Sequence, residues 1–231
     1  PKMIARLKGL AGVFRALRSQ AEKLDKLQFQ LGRIELNQKL LLNSSNLEDN
    51  EFSVYSQWGE DGIIQYLVRQ VPVENRIFVE FGVENYLEAN TRFLLKNDNW
   101  SGLVMDGSEE NVATIQKDSI YWRHSLKATA AFIDRDNINR LIQENGISGD
   151  IGLLSVDIDG NDYWVWEKID CVSPRIVVAE YNSLFGPEVK VTVPYDPAFQ
   201  RSRAHYSNLY YGASIAALSH LANRKGYALV G

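Results

Sequence analysis

At 231 residues, 45% of them hydrophobic and 23% charged, the chain is long enough for one α/β domain with a full core and an appendage. A net charge of −4 excludes nucleic-acid binding through bulk charge, and no apolar run reaches the ~20 residues that a bilayer span needs. No apolar block followed by small residues marks a secretory leader, and the one cysteine, Cys171, allows no internal disulfide, which suits a reducing, cytoplasmic compartment. The sequence begins at Pro1 rather than Met and stops at Gly231 just after an apolar run, as a piece of a longer protein would.

Residues 1–46 form the first unit. They lack proline after Pro1 and hold almost no strand formers. Leu10, Phe14, Leu17, Ala21 and Leu24 follow a 4,3,4,3 spacing, and Leu27, Leu31, Ile34, Gln38 and Leu41 resume it after a break of phase. The pattern predicts a long amphipathic helix, a coiled-coil-like arm that joins copies of the chain into a homo-oligomer. Lys2, Arg6, Lys8, Arg15, Arg18, Lys23 and Lys26 make its first part basic, so peripheral contact with an anionic membrane is the competing expectation. Residues 43–50, NSSNLEDN, are polar and turn-rich and set the boundary to a second unit, 47–231.

From residue 52 onward strand and helix patterns alternate. Strands are expected at 77–82 (IFVEFG), 102–106 (GLVMD), 120–126, 151–158 (IGLLSVDI), 175–181 (RIVVAEY) and 227–230 (YALV). Helices are expected at 60–70, 88–97, 108–117, 136–145, 161–169 and 211–225. Continuous apolar strands separated by helices indicate a parallel sheet covered on both faces.

Ligands of such a sheet bind beyond the carboxyl ends of its strands. The first strand ends in Glu80 and Gly82, and the glycine permits a tight turn and the close approach of a ligand. The second ends in Asp106 and Gly107. A carboxylate there can accept both hydroxyls of a ribose, although an Asp after a strand is also a common helix cap. A dinucleotide site wants G-x-G-x-x-G so that backbone N–H groups hold a pyrophosphate. Here the turn reads Gly82-Val83-Glu84-Asn85-Tyr86, and Glu84 would repel phosphate. A cationic cofactor without phosphate, such as S-adenosylmethionine, tolerates these acids.

YSQWGEDGII (55–64), FVEFGVENYLEANT (78–91), GLVMDGSEEN (102–111), LLSVDIDGND (153–162) and VVAEYNS (177–183) together resemble the FkbM-type methyltransferases over residues 52–231. The resemblance implies an α/β, doubly wound, mostly parallel Rossmann-like methyltransferase sheet of seven strands. It also implies S-adenosylmethionine as cofactor and O-methylation of a sugar or glycan. It places Ser56, Gln57, Glu60, Glu80, Gly82, Asp106 and Asn111 near the cofactor. The family's glycine-rich turn is replaced by Glu84 and Tyr86, and no candidate seventh strand follows YALVG.

Three acids, Asp157, Asp159 and Asp162, crowd the end of the fourth strand. On an extended strand Asp157 and Asp159 share a face. Asp162 falls in the first turn of the next helix, where its charge suits the dipole. Asp157 and Asp159 are therefore candidates to bind substrate hydroxyls, to act as base, or to hold a hard cation such as Mg²⁺. The fifth strand ends in Glu180 and Asn182, further candidates to bind the substrate, although Glu180 can equally be a strand-edge residue paired with Arg175 or Lys190. The long segment 183–210 carries Tyr195, Asp196, Phe199, Tyr206 and Tyr210, a set that suits a sugar acceptor or simply packs the loop down. His205 is a further candidate base. A catalytically silent scaffold of the same fold and a nucleotide-dependent oxidoreductase are the other function classes considered.

Overall fold

The computed structural model describes the backbone of residues 2–231 and the side chains from residue 12 onward, Phe14 excepted. The expected contributions of Lys2, Arg6, Lys8, Leu10 and Phe14 to the arm lie outside the described side chains. Five parallel strands form the sheet: β1 (Ile77–Phe81), β2 (Ser101–Asp106), β3 (Leu126–Ala130), β4 (Gly149–Val156) and β5 (Val172–Ala179). Their order is β3-β2-β1-β4-β5, with Val79 level with both Leu103 and Leu154.

Alternation of side chains along each strand divides the core in two. Phe78, Val104 and Leu153 face α2 (Glu60–Gln70), α3 (Arg92–Asp98), α4 (Glu109–Lys117) and α5 (Ser119–Arg123). Val79, Phe81, Leu103, Met105 and Leu154 face α6 (Ile138–Glu144), α7 (Asp162–Lys168) and α9 (Ile215–Arg224). Helices thus cover both faces, and the α/β, doubly wound, Rossmann-like sheet expected from the alternating pattern is observed.

Three local expectations are corrected. Residues 120–126 do not open a strand, because Asp118 accepts the Ile120 N–H at 2.8 Å and caps α5; β3 begins at Leu126. The helix expected at 88–97 begins only at Arg92, because residues 83–91 form a turn over the end of β1. YALV is not a strand: the Tyr227 N–H returns to Ala222, its hydroxyl reaches the Pro174 carbonyl at 2.7 Å, and Leu229 and Val230 are exposed. Among the described residues the sheet has five strands rather than seven.

The arm is one helix, α1 (Lys2–Leu42), about 60 Å long at 1.5 Å per residue. Its docked face runs through Asp25, Phe29, Gly32 and Leu36. Phe29 and Leu36 join Phe52, Val54, Tyr55 and Phe93 in a separate apolar cluster, with Phe93 5.9 Å from the Phe29 ring and 5.6 Å from the Phe52 ring. Asp25 accepts from Lys96 Nζ at 2.9 Å and from the Tyr55 hydroxyl at 3.0 Å. The stripe read from the sequence lies elsewhere on the helix: Leu17, Leu24, Leu27, Leu31, Ile34 and Leu41 are all exposed.

Phe93 is the ring that both the arm and the domain touch. Its replacement in Phe93→Ala is expected to destabilise the protein by about 3–5 kcal/mol in denaturant unfolding and to speed amide exchange across residues 25–36. Unchanged exchange there would show that the arm is held by something other than this cluster.

Candidate active site

The strand order reverses between β1 and β4, and a crevice opens at their carboxyl ends. Its floor is a backbone contact. Gly82 has φ +77°, and a Cβ added there would lie 1.6 Å from the Asp157 carbonyl oxygen. Only glycine fits, and the close approach is that of a neighbouring strand end rather than of a ligand. Above it lies a cleft of about 610 Å³, walled by the ends of all five strands and by Phe199 and Arg201.

The turn after Gly82 keeps a glycine-type backbone without glycines. Glu84 (φ +47°) and Tyr86 (φ +62°) are both left-handed, a conformation that costs roughly 1–3 kcal/mol for such residues. Local bonds offset the strain. Tyr86 is fully buried, its hydroxyl 2.9 Å from Thr91 Oγ1 and its carbonyl accepting from Arg92 Nη1 at 2.7 Å. The Glu84 N–H donates to Asp106 Oδ2 at 2.8 Å, so this amide is already committed and does not await a phosphate.

Asp106 therefore knits two strand ends together. Its Oδ1 accepts from the Ser108 N–H at 2.8 Å and from Asn111 Nδ2 at 3.0 Å. Oδ2 takes only the Glu84 N–H and keeps a lone pair for a ligand hydroxyl. Glu80 is buried and accepts the N–H groups of Asn90 at 2.8 Å and Thr91 at 3.1 Å. Burial raises its pKa while those donors oppose the rise.

At the other end of the cleft Asp157, Asp162 and Glu180 bring carboxylate oxygens within 4.8 Å of one another. Asp162 is fully buried, and burial pushes its carboxyl up to about 6. Its oxygens accept from the Ile158 N–H at 2.7 Å and the Gly160 N–H at 2.9 Å, so it ties the loop before α7 rather than capping the helix. Asp157 and Glu180 hydrogen-bond to each other; burial first, and the neighbouring acids second, raise both, Glu180 the further. The two carboxyls together therefore hold a proton more tightly than isolated carboxyls would. With Asp162 committed to backbone donors, a metal would find two free carboxylates here, which is a poor Mg²⁺ set.

Strand β4 ends at Val156, so the shared face expected for Asp157 and Asp159 does not arise on the strand. Both line the cleft, but Asp159 turns left-handed (φ +57°) and pairs with Arg201, whose guanidinium lies 3.7 Å over the Tyr211 ring.

Of the residues expected at the site, Gln57, Glu60, Glu80, Gly82, Asp106, Gly107, Asp157, Asp159 and Glu180 line the cleft. The others do not. Ser56 accepts the Asp61 N–H and Asn111 supports Asp106 from behind. Asn182 is buried and clamps the carbonyls of Leu209 and Tyr211 at 3.0 Å. Tyr195 packs beside Trp164 under Arg135, and Asp196 is exposed. His205 is exposed beside Ser207, stacked with the outward-facing Tyr206, so neither the base nor the substrate role expected for that pair has support in their positions.

Among the lining residues, Phe132, Arg201 and Asn161 carry no signal in the sequence, and Phe199 is the one aromatic of the long loop that reaches the cleft. Phe132 follows β3, whose position was misread. Phe199 lies where a Cβ on Gly160 would be, 2.2 Å from its ring, so Gly160 makes room for it. Arg201 begins a short helix, α8 (Arg201–Ala204), that the aromatic loop gave no sign of. Asn161 is 4% exposed; its Nδ2 donates to the Asp196 carbonyl at 2.8 Å and its Oδ1 has no partner.

No protein-family model matches the chain, and no curated protein matches it. Among solved structures it is similar to the crystal structure of the N-terminal domain of EvdMO1 with SAH bound, at 13% identity over 84% of this chain and 86% of that one, with a TM-score of 0.46.

The Glu180 proton links stability to pH. Its carboxyl is raised from 4.5 to about 9, so the folded chain keeps a proton that the unfolded chain sheds. Stability from this group is full below pH 4.5 and is lost as pH rises towards 9. Glu180→Gln, which keeps a donor towards Asp157 but does not titrate, is expected to flatten the fall in melting temperature between pH 5 and 9. Parallel wild-type and variant curves would mean that Glu180 is ionised and solvated across that range.

Proposed function

We propose that the chain is an S-adenosylmethionine-dependent O-methyltransferase acting on a hydroxyl of a sugar or glycan. The observation that carries this reading is the charge of the switch-point cleft. Glu60, Glu80, Glu84, Glu88, Asp106, Asp157, Asp159 and Glu180 line it against Arg201, its only cation among the described residues. A phosphate-bearing dinucleotide is disfavoured there, while a cofactor carrying sulfonium and ammonium groups is attracted. Asp106 would receive one ribose hydroxyl on the remaining lone pair of Oδ2, and Gln57 and Glu80 lie on the same wall. When bound, the cofactor supplies an electrophilic methyl group.

The chain's own residues position the acceptor oxygen and take its proton. Asp157 is the base: it leaves the end of β4 into the cleft beside Glu180, and a proton shared by the pair leaves one carboxylate free to accept the acceptor hydroxyl's proton. In-line positioning of that oxygen supplies the rest of the acceleration. Calorimetric titration with S-adenosylhomocysteine should show one saturable site that Asp106→Ala weakens at least tenfold. Asp157→Asn should leave that affinity intact and lower turnover by about 10²–10⁴-fold. Detectable methyl transfer dismisses a silent scaffold; stabilisation by NAD without S-adenosylhomocysteine binding would favour the oxidoreductase instead.

The exposed stripe on α1 supports a second element of this reading, that the arm pairs with another copy of the chain. Leu17, Leu24 and Leu31 stand seven residues apart, in the repeat that helix pairing requires. Deleting residues 1–46 would also strip Phe29 and Leu36 from the domain, so substitution is the cleaner test. Leu24→Glu with Leu31→Glu is expected to give a monomer in sedimentation equilibrium. An unchanged mass would leave the stripe to an anionic membrane, which vesicle cosedimentation reads directly.

A further inference from the structure

We infer that the acceptor is an amino sugar, its ammonium seated between Glu180 and Asn161 and its neighbouring hydroxyl presented to Asp157. This deepens the proposed function and rests on the acceptor occupying the same cleft. The acids of the cleft differ in what balances each carboxylate. Glu60 accepts the N–H groups of Trp58 and Gly59, both at 2.9 Å. Glu80 and Asp106 are held by backbone and side-chain donors, Asp162 by two backbone N–H groups, and Asp159 by Arg201. Glu84 and Glu88 are solvated on the rim.

Asp157 and Glu180 are left with only each other, and Glu180 Oε2 is buried without a partner. A third acceptor is independent of the acids. Asn161 lines the same cleft and is 4% exposed. Its Nδ2 is fixed on the Asp196 carbonyl, which leaves Oδ1 as the end without a donor. Unmet buried acceptors cost stability until a ligand supplies donors. A neutral hydroxyl supplies one N–H or O–H equivalent and no charge. An ammonium supplies three donors and a positive charge, and its arrival lets Glu180 release the proton to solvent. Asp157 then remains available to the hydroxyl beside it. A divalent ion is the poorer occupant, since each Asp162 oxygen already accepts a backbone N–H and only Asp157 and Glu180 stand without a backbone donor.

The test measures dissociation constants by ligand-observed NMR for glucosamine, N-acetylglucosamine, glucose and glucose 6-phosphate, with S-adenosylhomocysteine present and absent, in metal-free buffer at pH 7.5. Glucosamine is expected to bind at least tenfold more tightly than the other three. Calorimetry in phosphate and in Tris should show a proton released on binding, after subtraction of the proton that the neutral fraction of free glucosamine takes up to become the ammonium. Glu180→Gln should abolish both the preference and the proton release while leaving S-adenosylhomocysteine affinity unchanged. Equal binding of glucosamine and glucose, no binding of any sugar, or a preference that appears only with Mg²⁺ overturns the inference. Failure of S-adenosylhomocysteine to bind would instead strike the proposed cofactor, and the cofactor-free titration would still read the ammonium seat.

Discussion

The contact on which the site depends is the one between Gly82 and the carbonyl of Asp157. It joins the exits of β1 and β4, the two strands between which the sheet order reverses, at a distance that no side chain permits. Because the two backbones touch, the chain leaving β1 must rise over the sheet edge at once, and the chain leaving β4 must turn outward. The first movement builds the Glu84–Asn90 wall. The second presents the Asp157 side chain to the cleft and sends Asp159 outward to Arg201. The cleft is therefore a consequence of strand adjacency, and its acids face one another because their backbones were brought together first.

Positive φ at Glu84 and Tyr86 shows how residues other than glycine hold a turn of a kind that glycine favours. The strain is local and the compensation is local: a buried tyrosine with hydrogen bonds at both ends, and an amide taken by Asp106. The same amide bond closes the turn to phosphate. The committed Glu84 amide and the acids that line the cleft thus act in the same direction, both disfavouring a phosphate at this turn.

Strands β1, β2 and β4 are legible because each is a largely apolar run buried on both faces, and hydropathy marks such a run; β5, at the sheet edge with Ser173 and Arg175 exposed, is marked by its apolar second half, residues 176–179. β3 was displaced because Leu126–Ala130 has an exposed Lys127 and a small-residue face, and the more apolar stretch ahead of it is capped as a helix by Asp118. YALV carries the composition of a strand, but an edge partner is decided by tertiary pairing. At the site, the residues at strand ends were found because strand ends are predictable. The loop residues were not: His205, Tyr206 and Asp196 were chosen for chemistry, and chemistry does not say which side of a loop faces a cleft. Arg201 and Asn161 have no motif, and of the aromatics named in residues 183–210 only Phe199 is brought to the cleft. On the arm the 4,3,4,3 rhythm was real, yet two faces of α1 obey it. The leucine-rich face is the exposed one, while the docked face contains Asp25 and Gly32 and reads as polar.

That docked face ties the arm to the cleft through few steps. Asp25 holds the Tyr55 hydroxyl, and Asp61 Oδ2 collects the N–H groups of Val54, Tyr55 and Ser56 at 2.6–2.8 Å, fixing the loop that leads to Gln57 and Glu60. The Tyr55 carbonyl takes the Ala89 N–H at 2.9 Å, and Arg92 lies 5.0 Å over the Tyr55 ring and 5.6 Å over Tyr86. Tyr55 is thus touched by the arm on one side and by the strained turn on the other. The composition change at 43–50 marks where the helix ends, whereas packing runs across it. Cation–π contacts and buried amide bonds of this kind resist displacement more than surface ion pairs do, so the wall formed by Gln57 and the Glu84–Asn90 turn is braced from outside by the helix. An arm that paired through its leucine stripe while docked through Asp25, Phe29 and Leu36 would hold two such walls at fixed separation, since both faces belong to one rigid helix.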